Sequence, residues 1–220
     1  MRVCSRFILL ALLGAARASA GTIEGTVSLD PADLAIRDSS MPNPYVGQLS
    51  AGGHGASSAA SADTAYGVAW VADLAPGGES PRPARMDQAG LRFVPRILAI
   101  VAGQRVEFHN SDNVFHNIFS YSPPKRFDLG RYPKGHSRTV AFARPGAVQV
   151  YCDIHSDMRA DIIVAPNAHF TLIGRGGRFR IEDVPAGSHT VKVWLPSSGE
   201  RSAILQVPEE GVARLDLNVR

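Results

Sequence analysis

The sequence is short of cysteine, aromatic residues and long apolar runs, and outside its first twenty residues it has no excess of either charge sign. Each shortage closes a class of function. Two cysteines occur in 220 residues, Cys4 and Cys152. Cys4 lies in a segment that reads as an export leader. Arg2 and Arg6 precede an apolar run at 7–13, and Ala18-Ser19-Ala20 offers small residues for cleavage after Ala20. That run is too short to cross a bilayer. No later segment is as apolar and as long, so the mature chain is expected to have no membrane span and to be secreted across the inner membrane into the periplasm. Cleavage would leave Cys152 alone, which excludes an internal disulfide framework and leaves a metal ligand, a nucleophile or a link between chains. Cleavage also removes Arg2, Arg6 and Arg17 and no acid, so 23 Lys and Arg fall to 20, equal to the 20 Asp and Glu. A chain of near-zero net charge gives no footing to a nucleic-acid partner. At 7% aromatic residues, with no aromatic platform or acidic calcium cluster, a sugar-binding or adhesive module has no support either. Trp70 and Trp194 fall in strand patterns and read as core. The absence of any sustained 3.6-residue period or internal repeat excludes helical bundles and solenoids.

What is present is period-two alternation broken by Gly, Pro, Asn and Asp, the signature of an all-β chain. The first strand is expected at 22–29, followed by a low-complexity Ser/Ala/Gly/Pro stretch at 37–66 that reads as a flexible loop. A strand resumes at 68–74, and 75–83 has the composition of a linker. From Met86 the pattern tightens. Strands are expected at 97–101, around Val106 and Phe108, and at 114–120. A turn-rich stretch covers 121–137. Val148, Val150 and Cys152 then share one strand face. Further strands are expected near 162–164, 170–173, 179–181, 190–195, 203–207 and 213–219.

Within this frame, Cys152, His155 and Met158 are spaced three residues apart on one short loop, and His116 lies 36 residues upstream. Two imidazoles, a thiolate and a weak sulfur donor compose the ligand set of a mononuclear copper electron-transfer site. Thiolate and thioether favour Cu(I), whereas imidazole suits Cu(II) as well. Such a set serves both states with little rearrangement.

The residues around these positions resemble a known family. Phe93-Val94-Pro95 and Gly103-Gln104-Arg105-Val106-Glu107-Phe108-His109-Asn110 are similar to the F-x-P and G-x-x-V-x-F-x-N runs of cupredoxins, the type I blue copper proteins. His116-Asn117 resembles their His-Asn ligand pair, and 146–152 resembles their approach to the ligand loop. The C-x-x-H-x-x-M spacing is that of amicyanin, shorter than in plastocyanin or azurin. The resemblance covers 86–166. It implies a Greek-key β-sandwich binding one type I copper ion through His116, Cys152 and His155 in the plane and Met158 axially. It also implies that Asn117 pins the ligand loop. Electron transfer to a redox partner protein of unknown identity would follow, with no bond broken and so no enzymatic activity. Asp153 and Asp157 flank the ligands and should favour Cu(II). Outside this unit, 21–27 and 177–187 resemble the carboxypeptidase-regulatory-like (transthyretin-like) sandwiches, which implies a second small, discontinuous β-sandwich from 21–80 and 167–220. Proteins combining the two are grouped as methylamine-utilisation-like or plastocyanin-like.

The other histidines read more blandly. His109, His136 and His169 are expected at the surface, His54 in the 37–66 loop, and His189 as a satisfied core residue. Lys125, Arg126, Arg131, Lys134, Arg138 and Arg144 give 121–146 a basic bias, either a solvated surface or a site for an acidic partner. Two alternatives to electron transfer remain: copper delivery through the same ligands, and a Cys152–His155 hydrolase pair. The latter is disfavoured because such enzymes bring the base from a distant segment.

Overall fold

The computed structural model describes residues 20–38, 65–77 and 82–218. All but the last residue of the expected leader, His54 and nearly all of the 37–66 stretch lie outside the described residues. The chain is all-β, with four sheets and one short helix among the described residues. In the first sheet, β1 (Ala20–Val27) lies between β13 (Arg178–Pro185) and β16 (Val212–Leu217). The second runs β12 (Phe170–Ile173), β2 (Gly67–Val71), β14 (Gly187–Leu195), β15 (Gly199–Val207). The third runs β5 (Ile97–Val101), β11 (Arg159–Ala165), β10 (Gly146–Tyr151), β7 (Phe119–Ser120), β8 (Phe127–Asp128). The fourth runs β4 (Phe93–Val94), β3 (Ala84–Gln88), β6 (Arg105–Asn110), β9 (Ser137–Ala141).

Alternation decides how the sheets stack. Phe108 on β6, Val148 and Val150 on β10 and Ile162 on β11 point into a core between the third and fourth sheets. Ile23 on β1, Val71 on β2 and Val191 on β14 point into a second core between the first and second sheets. Two strands are buried on both faces, β2 along its whole length and β11 after its first residue. Their remaining side chains fill a third core: Val68, Trp70 and Trp194 from the second sheet meet Ile97, Ile163 and Ala165 from the third. Continuous apolar runs such as Gly67–Val71 are what two-sided burial demands of a sequence. The two sandwiches thus share an apolar joint.

The helix α1 (Pro31–Asp38) was not signalled by periodicity. It is short and set by its first turn. Asp30 accepts the Ala32 N–H (2.8 Å), Pro31 supplies a fixed φ, and Asp33 accepts the Asp30 N–H (3.2 Å). Asp33 is buried because its other oxygen accepts the Ser197 N–H at 2.9 Å. Ala65 and Tyr66, at the end of the expected loop, are packed and buried.

One expected element differs. Residues 114–120 do not form a strand; only Phe119–Ser120 pair as β7, and His116 makes an isolated bridge to Tyr132. Side chains override the ladder here, as described below. Val114 is consequently 43% exposed, while Ile118 is fully buried.

Candidate metal centre

The site lies at the end of the sandwich where β6 and β10 run out. Asn110, the last residue of β6, is fully buried. Its Oδ1 accepts the Asp112 N–H (2.9 Å), and its Nδ2 donates to the carbonyls of Val114 (2.9 Å) and Tyr132 (3.1 Å). One side chain thereby satisfies three backbone groups of an irregular loop, and the loop can turn without orphaned amides. Asp112 receives the Gly90 and Leu91 N–H groups (2.7 and 2.9 Å) and faces His116 Nε2 at 2.9 Å. The His116 backbone is held from the far side by Tyr132, through N–H bonds of 3.3 and 2.9 Å. Tyr132 is itself fixed: Gln88 Nε2 donates to its hydroxyl (2.6 Å), which donates to the Phe108 carbonyl (3.3 Å).

Cys152 follows β10 directly and keeps its inward phase, so its sulfur faces the core at 4% exposure. The loop after it closes on itself. The Met158 N–H donates to the His155 carbonyl (3.0 Å) and the Cys152 N–H to the Met158 carbonyl (3.3 Å). Met158 is 1% exposed, in the same apolar core as Cys152. Asn117 ties this loop to the first, its Oδ1 accepting the Asp153 N–H at 2.7 Å. Arg131 adds an ion pair to Asp153 at 3.1 Å.

The result brings three donors together. His116 Nδ1 lies 3.0 Å from His155 Nδ1, and Cys152 Sγ lies 3.8 Å and 3.7 Å from these two nitrogens. In a triangle with these sides, the point equidistant from the three atoms lies about 2.0 Å from each, against ~2.0–2.3 Å for first-row metal–N and metal–S bonds. With Nε2–H donated to Asp112, Nδ1 of His116 presents its lone pair to that centre. Burial alone would push the Cys152 thiol up. The His116 ring and the backbone N–H groups of Asn117, Ile154 and His155 outweigh it and bring the pKa down to about 6. Burial alone would lower the His116 pKa; its contacts with Cys152 and Asp112 raise it. The pocket is therefore complementary to a thiolate. Among the described residues, these three form the one group of His, Cys, Asp or Glu with a metal-binding arrangement.

Asn110, Asp112, Tyr132 and Arg131 were missed by sequence reading as parts of this site. Asn110 stood inside a recognised run, but nothing marked its side chain as the loop's anchor. The carboxylate four residues before His116 was the available sign of Asp112. Among the other histidines, His189 is buried and its Nε2 meets the Pro185 carbonyl at 2.8 Å. His136 is exposed; His109 and His169 are half-buried, bonded to Ser137 (3.0 Å) and the Asp183 carbonyl (3.1 Å). No helix among the described residues is long and apolar enough to cross a membrane.

No family model matches the chain, and no curated protein matches it. Among solved structures it is similar to a Cu-containing nitrite reductase from Thermus scotoductus SA-01, at 26% identity over 40% of this chain and 25% of that one, with a TM-score of 0.37. It is also similar to the Cu(I) form of an amicyanin variant, at 18% identity over 44% of this chain and 97% of that one, with a TM-score of 0.36. A purple cupredoxin from Nitrosopumilus maritimus matches at 23% identity over 37% and 99% of the two chains, with a TM-score of 0.34. The likeness thus spans only a quarter of the nitrite reductase. Likenesses this partial leave the chemistry to be read from the site's own geometry.

Proposed function

We propose that this chain is an exported, periplasmic mononuclear copper protein that passes single electrons between partner proteins and catalyses no bond change. The observation that carries this reading is the triangle of Cys152 Sγ and two Nδ1 atoms, whose centre lies at metal-bond distance from all three. Two imidazoles and a thiolate in a near-trigonal arrangement suit copper in both oxidation states. Met158, buried in the same core as Cys152, would supply the weak sulfur donor. The sequence resemblance to plastocyanin- and amicyanin-like cupredoxins, of the methylamine-utilisation-like group with a carboxypeptidase-regulatory-like flank, agrees with this assignment.

Bound there, copper would supply a one-electron Cu(I)/Cu(II) couple. The protein's part is to hold the donors still. His116 is fixed on both sides, by Asp112 at its ring and Tyr132 at its backbone, and Asn117 holds the Cys152–Met158 loop. Donors that do not move between states keep the reorganisation cost of transfer low. His155 is half-buried, and the exposed side chains of Ile154 and Phe115 flank the two histidines. A partner would approach on this apolar rim. Asp153 is paired with Arg131, so its pull toward Cu(II) is reduced; among the described residues Asp157 has no ion pair and keeps its pull.

The test is addition of Cu(II) to the purified chain with visible absorption recorded. An intense thiolate-to-copper band that disappears in Cys152→Ser is expected. A colourless adduct would overturn the electron-carrier reading. Copper delivery through the same ligands would show instead as fast loss of Cu(I) to a competing chelator.

A further inference from the structure

The basic stretch at 121–146 is sorted by the fold into two groups. Near the metal centre, Arg131 pairs with Asp153, Lys134 donates to Asn113 at 2.8 Å, and Arg138 lies over the Tyr132 ring at 5.6 Å. Lys125, Arg126 and Arg144 go elsewhere. They line one surface hollow together with Pro123, Pro124 and Ala143, and among the described residues none of the three meets a carboxylate within ion-pair distance. The hollow lies at the start of β10, whereas Cys152 follows its end. A six-residue strand separates them by roughly 20 Å.

The hollow is built on fixed backbone. Ser122 Oγ accepts the Gln149 N–H of β10 (2.9 Å), the Ser122 N–H donates to Ser120 Oγ (3.2 Å), and the Lys125 N–H donates to the Ser122 carbonyl (3.1 Å). The Pro124 ring sits where a side chain on Gly146 would be, 2.8 Å from the position of a Cβ there. Arg144 is oriented before any ligand arrives: Nε donates to the Pro124 carbonyl at 3.1 Å and Nη2 to the Pro123 carbonyl. Those bonds use two of five N–H donors and leave the rest of the planar fork free. A pre-set guanidinium with two further cations in one concave site matches the geometry and charge of a tetrahedral oxyanion.

We infer that this hollow binds a phosphate-type oxyanion, either free or carried on a lipid headgroup. The inference does not depend on the copper reading. The test is titration of the full chain with inorganic phosphate at constant ionic strength, followed by backbone amide NMR, with chloride as the control. Saturable shifts confined to 122–126 and 143–146 are expected, absent in chloride. Arg144→Lys keeps the charge but loses the fork, and it should weaken binding about tenfold. Lys125→Gln with Arg126→Gln leaves the Arg144 anchors intact and should do the same, with metal retention unchanged in both variants. Sedimentation with phosphatidylglycerol and phosphatidylcholine vesicles separates the sources. Selective binding to the former assigns a headgroup; phosphate binding without vesicle binding assigns the free ion. Shifts that are equal in chloride, or unchanged by both variants, would overturn the site.

Discussion

The two sandwiches are built alike and differ in where they bury polar atoms. In the second, the buried polar side chains work separately: Asp33 accepts the Ser197 N–H, Asn167 donates to the Val71 carbonyl at 2.9 Å, and His189 meets the Pro185 carbonyl. In the sandwich that carries the candidate metal centre, Gln88, Asn110, His116 and Asn117 are gathered at one end and joined through Tyr132, Asp112 and the Cys152 loop. Isolated buried polar groups each fix one contact. A connected set holds a shape that apolar packing cannot. The difference sets one end of one sandwich apart as the candidate site, with no counterpart in its neighbour among the described residues.

The comparison breaks most visibly at Cys152. Cys152→Ser should abolish the visible band and leave the fold intact, as judged by circular dichroism; a variant that kept the band would remove the thiolate from the centre. Next in size is the joint. Trp194→Ala should cost about 3–5 kcal/mol in chemical denaturation, because it opens a cavity between the sandwiches. Its spectrum with added copper should stay unchanged, since the indole packs on the back of the sheet that leads into Cys152. If the spectrum shifted, the second sandwich would be tuning the metal as well as supporting it. Asn110→Ala should leave three backbone groups unpaired and lower stability by roughly 1–3 kcal/mol, with copper affinity falling at least tenfold. Unaltered affinity would show that the loop is held by Tyr132 alone.

Asp112→Asn is a subtler change. The amide preserves shape but supplies a weaker acceptor to His116 Nε2–H. A change in reduction potential and a loss of affinity of about tenfold are expected, with stability little affected. The smallest effect concerns protons. In the metal-free chain the Cys152 thiol titrates near pH 6, below its ordinary value of 9.0. The stabilisation that comes with its thiolate is therefore complete above pH 9 and lost as the pH falls through about 6. His116, raised above its ordinary 6.5, works in the opposite sense: its contribution is complete below 6.5 and fades as the pH rises through its folded value. Thiolate ultraviolet absorbance of the apoprotein should reach its half-point near pH 6. A half-point near 9 would mean that the hydrogen bonds from His116 and the loop do not reach the sulfur.

The candidate donors could be named from the sequence because their spacing is local. Cys152, His155 and Met158 lie on one loop, and His116 is the next residue to an asparagine in a familiar pair. Strand phase was legible too, since alternation reports which face is buried. It does not report what covers that face. The parallel pairings β1–β16, β3–β6 and β5–β11 join distant segments and leave no local mark. The two-residue strands β4, β7 and β8 are too short to show a period. Asp112 and Asn110 were hidden for a related reason. All the partners of Asn110 and two of the three of Asp112 are backbone groups, which every residue carries, so composition cannot single them out. Residues 114–120 misled because their apolar side chains suggest a ladder that the Asn110 and Asp112 bonds replace.

The shared joint has a practical corollary for anyone dissecting this molecule. A truncation meant to isolate the sandwich with the candidate metal centre would strip the cover from Ile97, Ile163 and Ala165, and the complementary fragment would show bare indoles at Trp70 and Trp194. Each half would then carry a sticky face that the intact chain keeps hidden. Expression of either fragment should yield aggregates unless those positions are first made polar.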